Sequence, residues 1–169
     1  MNLYLMRHGI AAEKNNPSGA HDARRPLSPK GLKRTRQIAQ GVCRLEIPFD
    51  VLLSSPLARA RQTADIVSDE LGADAPVEEI ASLAPDGNFD RLLADLARYQ
   101  DHKHLLLVGH EPSLSRTLSA FLAGAASPRL AFEFKKGALC RLDVASLAPL
   151  ERGRLRWFLT PKQLRRLAG

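Results

Sequence analysis

The stretch Leu3-Tyr4-Leu5-Met6-Arg7-His8-Gly9 decides how this chain reads: four apolar residues, then an arginine, a histidine and a glycine. A run so short and so apolar predicts a strand buried on both faces, as in a parallel sheet flanked by helices. Open sheets of that kind hold ligands beyond the carboxyl ends of their strands. Arg7 and His8 are therefore placed at the edge where chemistry happens. Two later stretches repeat the pattern: Val51-Leu52-Leu53-Ser54-Ser55 runs into Pro56-Leu57-Ala58-Arg59-Ala60-Arg61-Gln62-Thr63-Ala64, and Leu105-Leu106-Leu107-Val108-Gly109 runs into His110-Glu111-Pro112.

With 169 residues the chain can bury one substantial core but hardly two, so a single domain over 1–169 is expected. Hydrophobic residues make up 44% and charged residues 25%, ordinary values for a globular protein. Aromatics at 5% are too few for a platform on which single-stranded nucleic acid stacks. The formal charge of +7 favours an acidic partner without naming it, and a nucleic-acid role would rest on that charge alone, so none is expected. The apolar start is short, lacks a basic leader and ends on Arg7, and no run approaches the length of a membrane span. The expectation is a cytoplasmic monomer whose two cysteines, Cys43 and Cys140, are reduced, buried and inert.

In chain order, Ile10 to Arg25 reads as a loop, with a turn cluster at Asn15-Asn16-Pro17-Ser18-Gly19. Ser28 and Pro29 predict the cap and first position of a helix whose apolar face runs through Leu32, Thr35, Ile38, Ala39, Val42 and Leu45. Ser55 and Pro56 predict the same start for a second helix, which places Arg59 in its first turn and Gly72 at its stop. A short strand at 77–80, a loop at 83–88, a helix near 89–100 and a very apolar central strand at 104–109 follow. Pro112 opens a fourth helix. The remainder reads as β, with strands at 130–134, 138–144 and 155–159 and a hairpin turn at Lys135-Lys136-Gly137.

If the three strand ends converge, two guanidinium groups and two imidazoles enclose one point near two helix N-termini. Arginine offers planar bidentate donors to a tetrahedral dianion, and helix N-termini favour anions. Histidine adds a nucleophile or proton carrier that works near neutral pH. From the residues alone, either His8 or His110 could be that nucleophile.

Leu-Met-Arg-His-Gly, the segment Ser54 to Ala64 and Val108-Gly109-His110-Glu111-Pro112 together resemble the three signature segments of the histidine phosphatase superfamily. The shortness of the chain, Arg25-Pro26-Leu27-Ser28-Pro29-Lys30-Gly31 and Trp157-Phe158-Leu159-Thr160-Pro161 resemble its compact phosphohistidine phosphatase (SixA-like) branch. The resemblance implies a phosphoglycerate mutase-like α/β fold, a three-layer α/β/α sandwich with a mostly parallel mixed central sheet. It also implies that His8 takes the phosphoryl group, that Arg7 and Arg59 hold its oxygens, that His110 is a further donor, and that neither metal nor other cofactor is needed. The expected partner is a phosphorylated protein, such as a phosphotransfer domain or phosphocarrier, or a small phosphorylated metabolite.

Leaving-group chemistry favours the first. An alkoxide is a poor leaving group, its conjugate acid having a pKa near that of water, about 15.7, whereas imidazole, with a pKa of about 6.5, departs with little help. The only acid in the loop where a proton donor could lie is Asp86, whose role the sequence leaves open. Arg25 is a second open position: it could reach the phosphate, a partner protein or solvent. A small-molecule phosphomonoesterase and a phosphate-binding module without turnover are the alternatives, and the two histidines argue against the second. His21-Asp22 and His102-Lys103-His104 read as turn residues rather than metal ligands. The basic residues Lys30, Lys33, Arg34 and Arg36 read as a solvated helix face, with contact to an acidic partner as the alternative.

Overall fold

The computed structural model describes residues 1–13, 22–72, 76–124, 130–147 and 150–169. Among them, the first strand, β1 (Asn2–Arg7), alternates its side chains between two apolar cores. Leu3 and Leu5 point to one face of the sheet and Tyr4 and Met6 to the other, and all four are fully buried. That two-sided burial is the physical meaning of the uninterrupted apolar run.

The other strands are β2 (Val51–Ser54), β3 (Val77–Glu79), β4 (His104–Gly109), β5 (Leu139–Asp143) and β6 (Arg154–Leu159). They form one sheet in the order β3-β2-β4-β1-β5-β6. The first four run parallel, while β5 is antiparallel to both β1 and β6. Helices α1 (Pro29–Cys43), α2 (Ala58–Leu71) and α5 (Pro161–Leu167) cover the Tyr4 and Met6 face. Helices α3 (Phe89–Leu96) and α4 (Ser113–Ala123) cover the other. The result is the expected three-layer α/β/α sandwich around a mixed sheet. Each of its fully buried leucines contributes roughly 2 kcal/mol of apolar burial.

Register positions the site. Arg7 lies opposite Gly109 across β1 and β4, and Ser54 lies opposite Val108 across β2 and β4. The His8 amide then donates to the Gly109 carbonyl at 3.1 Å, and the Ser55 amide to the Val108 carbonyl at 3.0 Å. Residues 8, 55 and 110 thus leave the sheet in one row, just past three adjacent carboxyl ends.

Local signals explain most helix boundaries. The Ser28 hydroxyl accepts from the Gly31 amide and caps α1, with Pro29 at its first position. Gly72 ends α2 in the left-handed conformation at φ 60°, which side chains with a Cβ disfavour. The turn cluster at 15–19 and His21 lie outside the described residues.

Four expectations are corrected. Helix α2 starts at Ala58 with Leu57 as its cap, so Ser55 does not cap it and Pro56 precedes it. Residues 130–134 form no strand, and Lys135-Lys136-Gly137 joins no hairpin. The strand it would pair with across that turn, β5, already has both edges taken, by β1 and β6, so the antiparallel pair is instead β5 with β6. Helix α5 stands where the sequence reading placed nothing. Its signal is Thr160 with Gln163, a reciprocal capping box around Pro161, and it packs on α1 where Gly41 lets the Leu164 carbonyl approach to within 1.9 Å of where a Cβ would sit. Finally, Cys140 is buried but Cys43 is only partly so, with its Sγ 3.2 Å from the Glu70 carbonyl; both are free thiols.

Candidate active site

His8 follows directly from β1 and is 6% exposed. Its Nδ1 lies 2.6 Å from the Gly9 carbonyl oxygen. A carbonyl can only accept, so Nδ1 carries the proton and Nε2 keeps the free lone pair. Gly9 is itself pinned, its amide donating to the Thr63 hydroxyl at 3.0 Å, and that hydroxyl donates to the Arg59 carbonyl at 2.7 Å. Helix α2 therefore fixes both the loop that orients His8 and the arginine beside it.

His110 follows β4 and is 2% exposed. Its ring centroid lies 4.8 Å from that of His8, with the planes tilted by 53°. His110 Nε2 lies 2.9 Å from the Ser55 hydroxyl, and that oxygen accepts from the Leu57 amide at 3.3 Å. The hydroxyl keeps its proton and a second lone pair and so can pair with Nε2 in either tautomer, while the other ring nitrogen is Nδ1. That nitrogen is buried without a hydrogen-bond partner among the described residues.

The two arginines share this feature. Arg7 donates through Nη1 to the Phe134 carbonyl at 2.5 Å, while its buried Nε has no partner. Arg59, 4% exposed, donates through Nη1 to the Asp22 carbonyl at 2.8 Å and through Nη2 to its carboxylate at 3.0 Å, and its Nε is likewise buried and unpartnered. Two buried N–H groups, on Arg7 and Arg59, and one buried ring nitrogen of His110 thus have no hydrogen-bond partner among the described residues. Leaving such groups unpaired costs about 1–3 kcal/mol each, so the corner is built for an acceptor from outside the chain.

Electrostatics agree with this reading. Burial, and then the positive charges of Arg59, Arg7 and Lys136, push His8 down to about 4, although the Gly9 carbonyl works the other way. Burial, and then His8, Arg59 and Arg7, push His110 down to about 3, against an opposing pull from Asp22. Both rings are neutral at pH 7. Burial, with Arg7, Arg25 and Arg59 nearby, also lowers Lys136, a further mark of a strongly positive corner.

Of the two open positions, Arg25 donates to Asp22 at 3.0 Å and to the Ala12 carbonyl at 3.0 Å. It reaches Arg59 only through the carboxylate they share. Asp86 is exposed, in the turn that follows Leu83. The sequence reading missed three contributors. Ser55 was assigned to a helix cap and is spent on His110. Asp22 was read as a turn residue and clamps Arg59; nothing local marks it. Glu111, half-buried beside His110, has its carboxyl raised by burial against the opposing effects of Ser115 and Arg7, and its place next to the histidine was the available signal. Among the described residues no three His, Cys, Asp or Glu side chains group as a metal site.

A family model for the histidine phosphatase superfamily (branch 1) matches residues 3–84. Over 128 residues the chain is 44% identical to an uncharacterized protein of Picosynechococcus sp., a match spanning 73% of this chain and 74% of that one. Over 130 residues it is 28% identical to phosphohistidine phosphatase SixA of Escherichia coli, covering 76% and 78% of the two chains. The structure of the protein histidine phosphatase SixA complexed with tungstate superposes with a TM-score of 0.81 at 25% identity, covering 97% of this chain and 99% of that one.

Proposed function

The chain belongs to the histidine phosphatase superfamily, and on that premise we propose that it removes phosphate from phosphohistidine on a signalling or phosphocarrier protein, by way of a covalent phosphohistidine at His8. The observation that carries this reading is the contrast between His8 Nε2, a lone pair held ready by the Nδ1 bond to Gly9, and the unpartnered Nε–H groups of Arg7 and Arg59 with the unpartnered Nδ1 of His110 beside them. The first is a nucleophile and the others are donors for phosphoryl oxygens.

In the first step the Nε2 lone pair attacks phosphorus. The P–N bond to the substrate breaks, its electron pair stays on the substrate imidazole, and that ring takes up a proton. Water then attacks phospho-His8, the P–Nε2 bond breaks with its electrons returning to Nε2, the water proton is lost, and inorganic phosphate leaves. Fixed positive charge supplies the electrostatic stabilisation throughout. His110 leaves the sheet beside His8, Arg7 precedes it on β1 and Arg59 comes from the first turn of α2, an arrangement that supports their role as donors in both steps. The SixA matches support phosphohistidine as the substrate group.

The test is a brief incubation with a protein carrying labelled phosphohistidine, quenched in alkali to preserve the P–N bond. Label on His8 in the parent and none in His8→Ala is expected; parental turnover by His8→Ala overturns the mechanism. A second reading, hydrolysis of small phosphomonoesters, draws on Glu111, a carboxyl that burial keeps protonated to higher pH. It requires that Glu111→Gln or Asp86→Asn slow glycerol phosphate hydrolysis while sparing phosphoramidate.

A further inference from the structure

Beside the catalytic corner a groove of about 710 Å³ runs between α1, the 133–136 segment and the start of α5. It is far larger than a phosphoryl group and begins at Arg7 and Gly9. Its floor is mixed: Ile38 is buried and Pro161 half-buried, beside the buried Thr35, whose hydroxyl has no hydrogen-bond partner among the described residues. Besides Arg7, five cations line it, Arg34, Lys135, Lys136, Lys162 and Arg165, against one carboxylate, Glu133.

Some arginines elsewhere on the surface carry their own counterions, while others, such as Arg44, Arg91 and Arg154, make no ion pair among the described residues either; what marks the groove is that its cations share one trough. Arg61 pairs with Asp65 and Glu79, and Arg141 and Arg156 both pair with Asp143. None of the five groove cations makes an ion pair among the described residues. Like charges from three separate elements are thus held around one trough with Glu133 as the single carboxylate in its lining. The arrangement repels itself unless an anionic partner sits in it.

We propose that this groove docks an acidic segment of the phosphoprotein substrate, with an apolar side chain of that segment on Ile38 and Pro161 and its carboxylates on the surrounding lysines and arginines. The inference rests on the reading of the substrate as a protein-borne phosphohistidine and adds to it a surface that selects among phosphoproteins. Arg7, where the groove meets the corner, sets the direction: the docked segment lies next to the phosphorylated residue.

The test uses two synthetic peptides phosphorylated on histidine, one with Glu, Asp and Leu flanking the histidine and one with Gln, Ser and Leu, plus phosphoramidate as a small substrate. In the parent protein the acidic peptide is expected to have the higher kcat/KM by about 10-fold, an advantage that shrinks as salt is raised from about 50 to about 500 mM. In Lys135→Glu/Lys162→Glu, both positions exposed, the advantage is expected to vanish through KM, with phosphoramidate turnover unchanged as the control for folding. Equal kcat/KM for the two peptides in the parent protein overturns the docking site and leaves the substrate class standing. So does competition by a short RNA that matches the acidic peptide. Turnover of phosphoramidate with neither peptide cleaved overturns both readings.

Discussion

Strand β4 begins on one histidine, His104, and is followed by another, His110; the two ends treat them in opposite ways. At the start, His104 Nδ1 lies 3.0 Å from the Tyr4 hydroxyl, and its amide donates to the Asp50 carboxylate at 2.8 Å. Asp50 also accepts from the Lys103 amide at 2.7 Å. Burial works to raise Asp50, but those two donors and the neighbouring His104 and His102 outweigh it and hold the carboxyl below its usual range. At the far end His110 keeps a buried nitrogen without a partner, and so do Arg7 and Arg59 around it. One end of the sheet closes its own polar accounts. The other leaves donors open at a cost that only a ligand offsets, and residue type alone does not tell the two apart.

The sharpest way to break this contrast is to exchange the histidines' fates. His8→Ala is expected to lower kcat by about 10⁴-fold or more, since the nucleophile itself is lost, while His104→Ala leaves kcat within about 2-fold; steady-state rates on phosphoramidate decide it. A large loss in His104→Ala would end the distinction between the two ends. Next in size, Arg59→Ala is expected to cost about 10²–10³-fold in kcat, and to lose the rise in Tm that inorganic phosphate is expected to give the parent, measured by thermal melts with and without the anion.

The pH dependence of stability sharpens the comparison further. Folding lowers both active-site histidines from about 6.5, to about 4 for His8 and about 3 for His110. Below pH 6.5 the unfolded chain therefore binds more protons than the native one, and stability falls as pH drops through 6.5 toward those values. A plot of Tm against pH should be shallower over that window in His8→Gln/His110→Gln; an unchanged slope would place the acid sensitivity elsewhere. The smallest effects come last. Asp50→Asn is expected to cost about 1 kcal/mol of stability in urea melts with kcat intact, whereas Ser55→Ala, which frees His110 Nε2, is expected to lower kcat by about 10-fold with little change in the urea midpoint.

Much of the fold was legible because its signals are local. The buried strands announced themselves by uninterrupted apolar runs, α1 by Ser28-Pro29 and the end of α2 by Gly72. Two of the errors share one cause, competition for a single group or edge. The Ser55 hydroxyl suits a helix cap, but the parallel register of β2 and β4 places it beside His110, which takes it. Residues 130–134 have strand composition, yet β5, their hairpin partner, had no edge left for them. Instead their carbonyls serve side chains, Phe134 accepting from Arg7 and Phe132 from Ser115.

By itself the sequence determined which residue types arrive at strand ends, because alternation, apolar run length and capping chemistry act over a few residues. Tertiary structure decided which of those residues meet, which nitrogen of each histidine is left free, and that Asp22 restrains Arg59 from a distant segment. Those outcomes depend on strand order and register, which couple segments dozens of residues apart and are set by the packing of both cores at once rather than by any one stretch of chain.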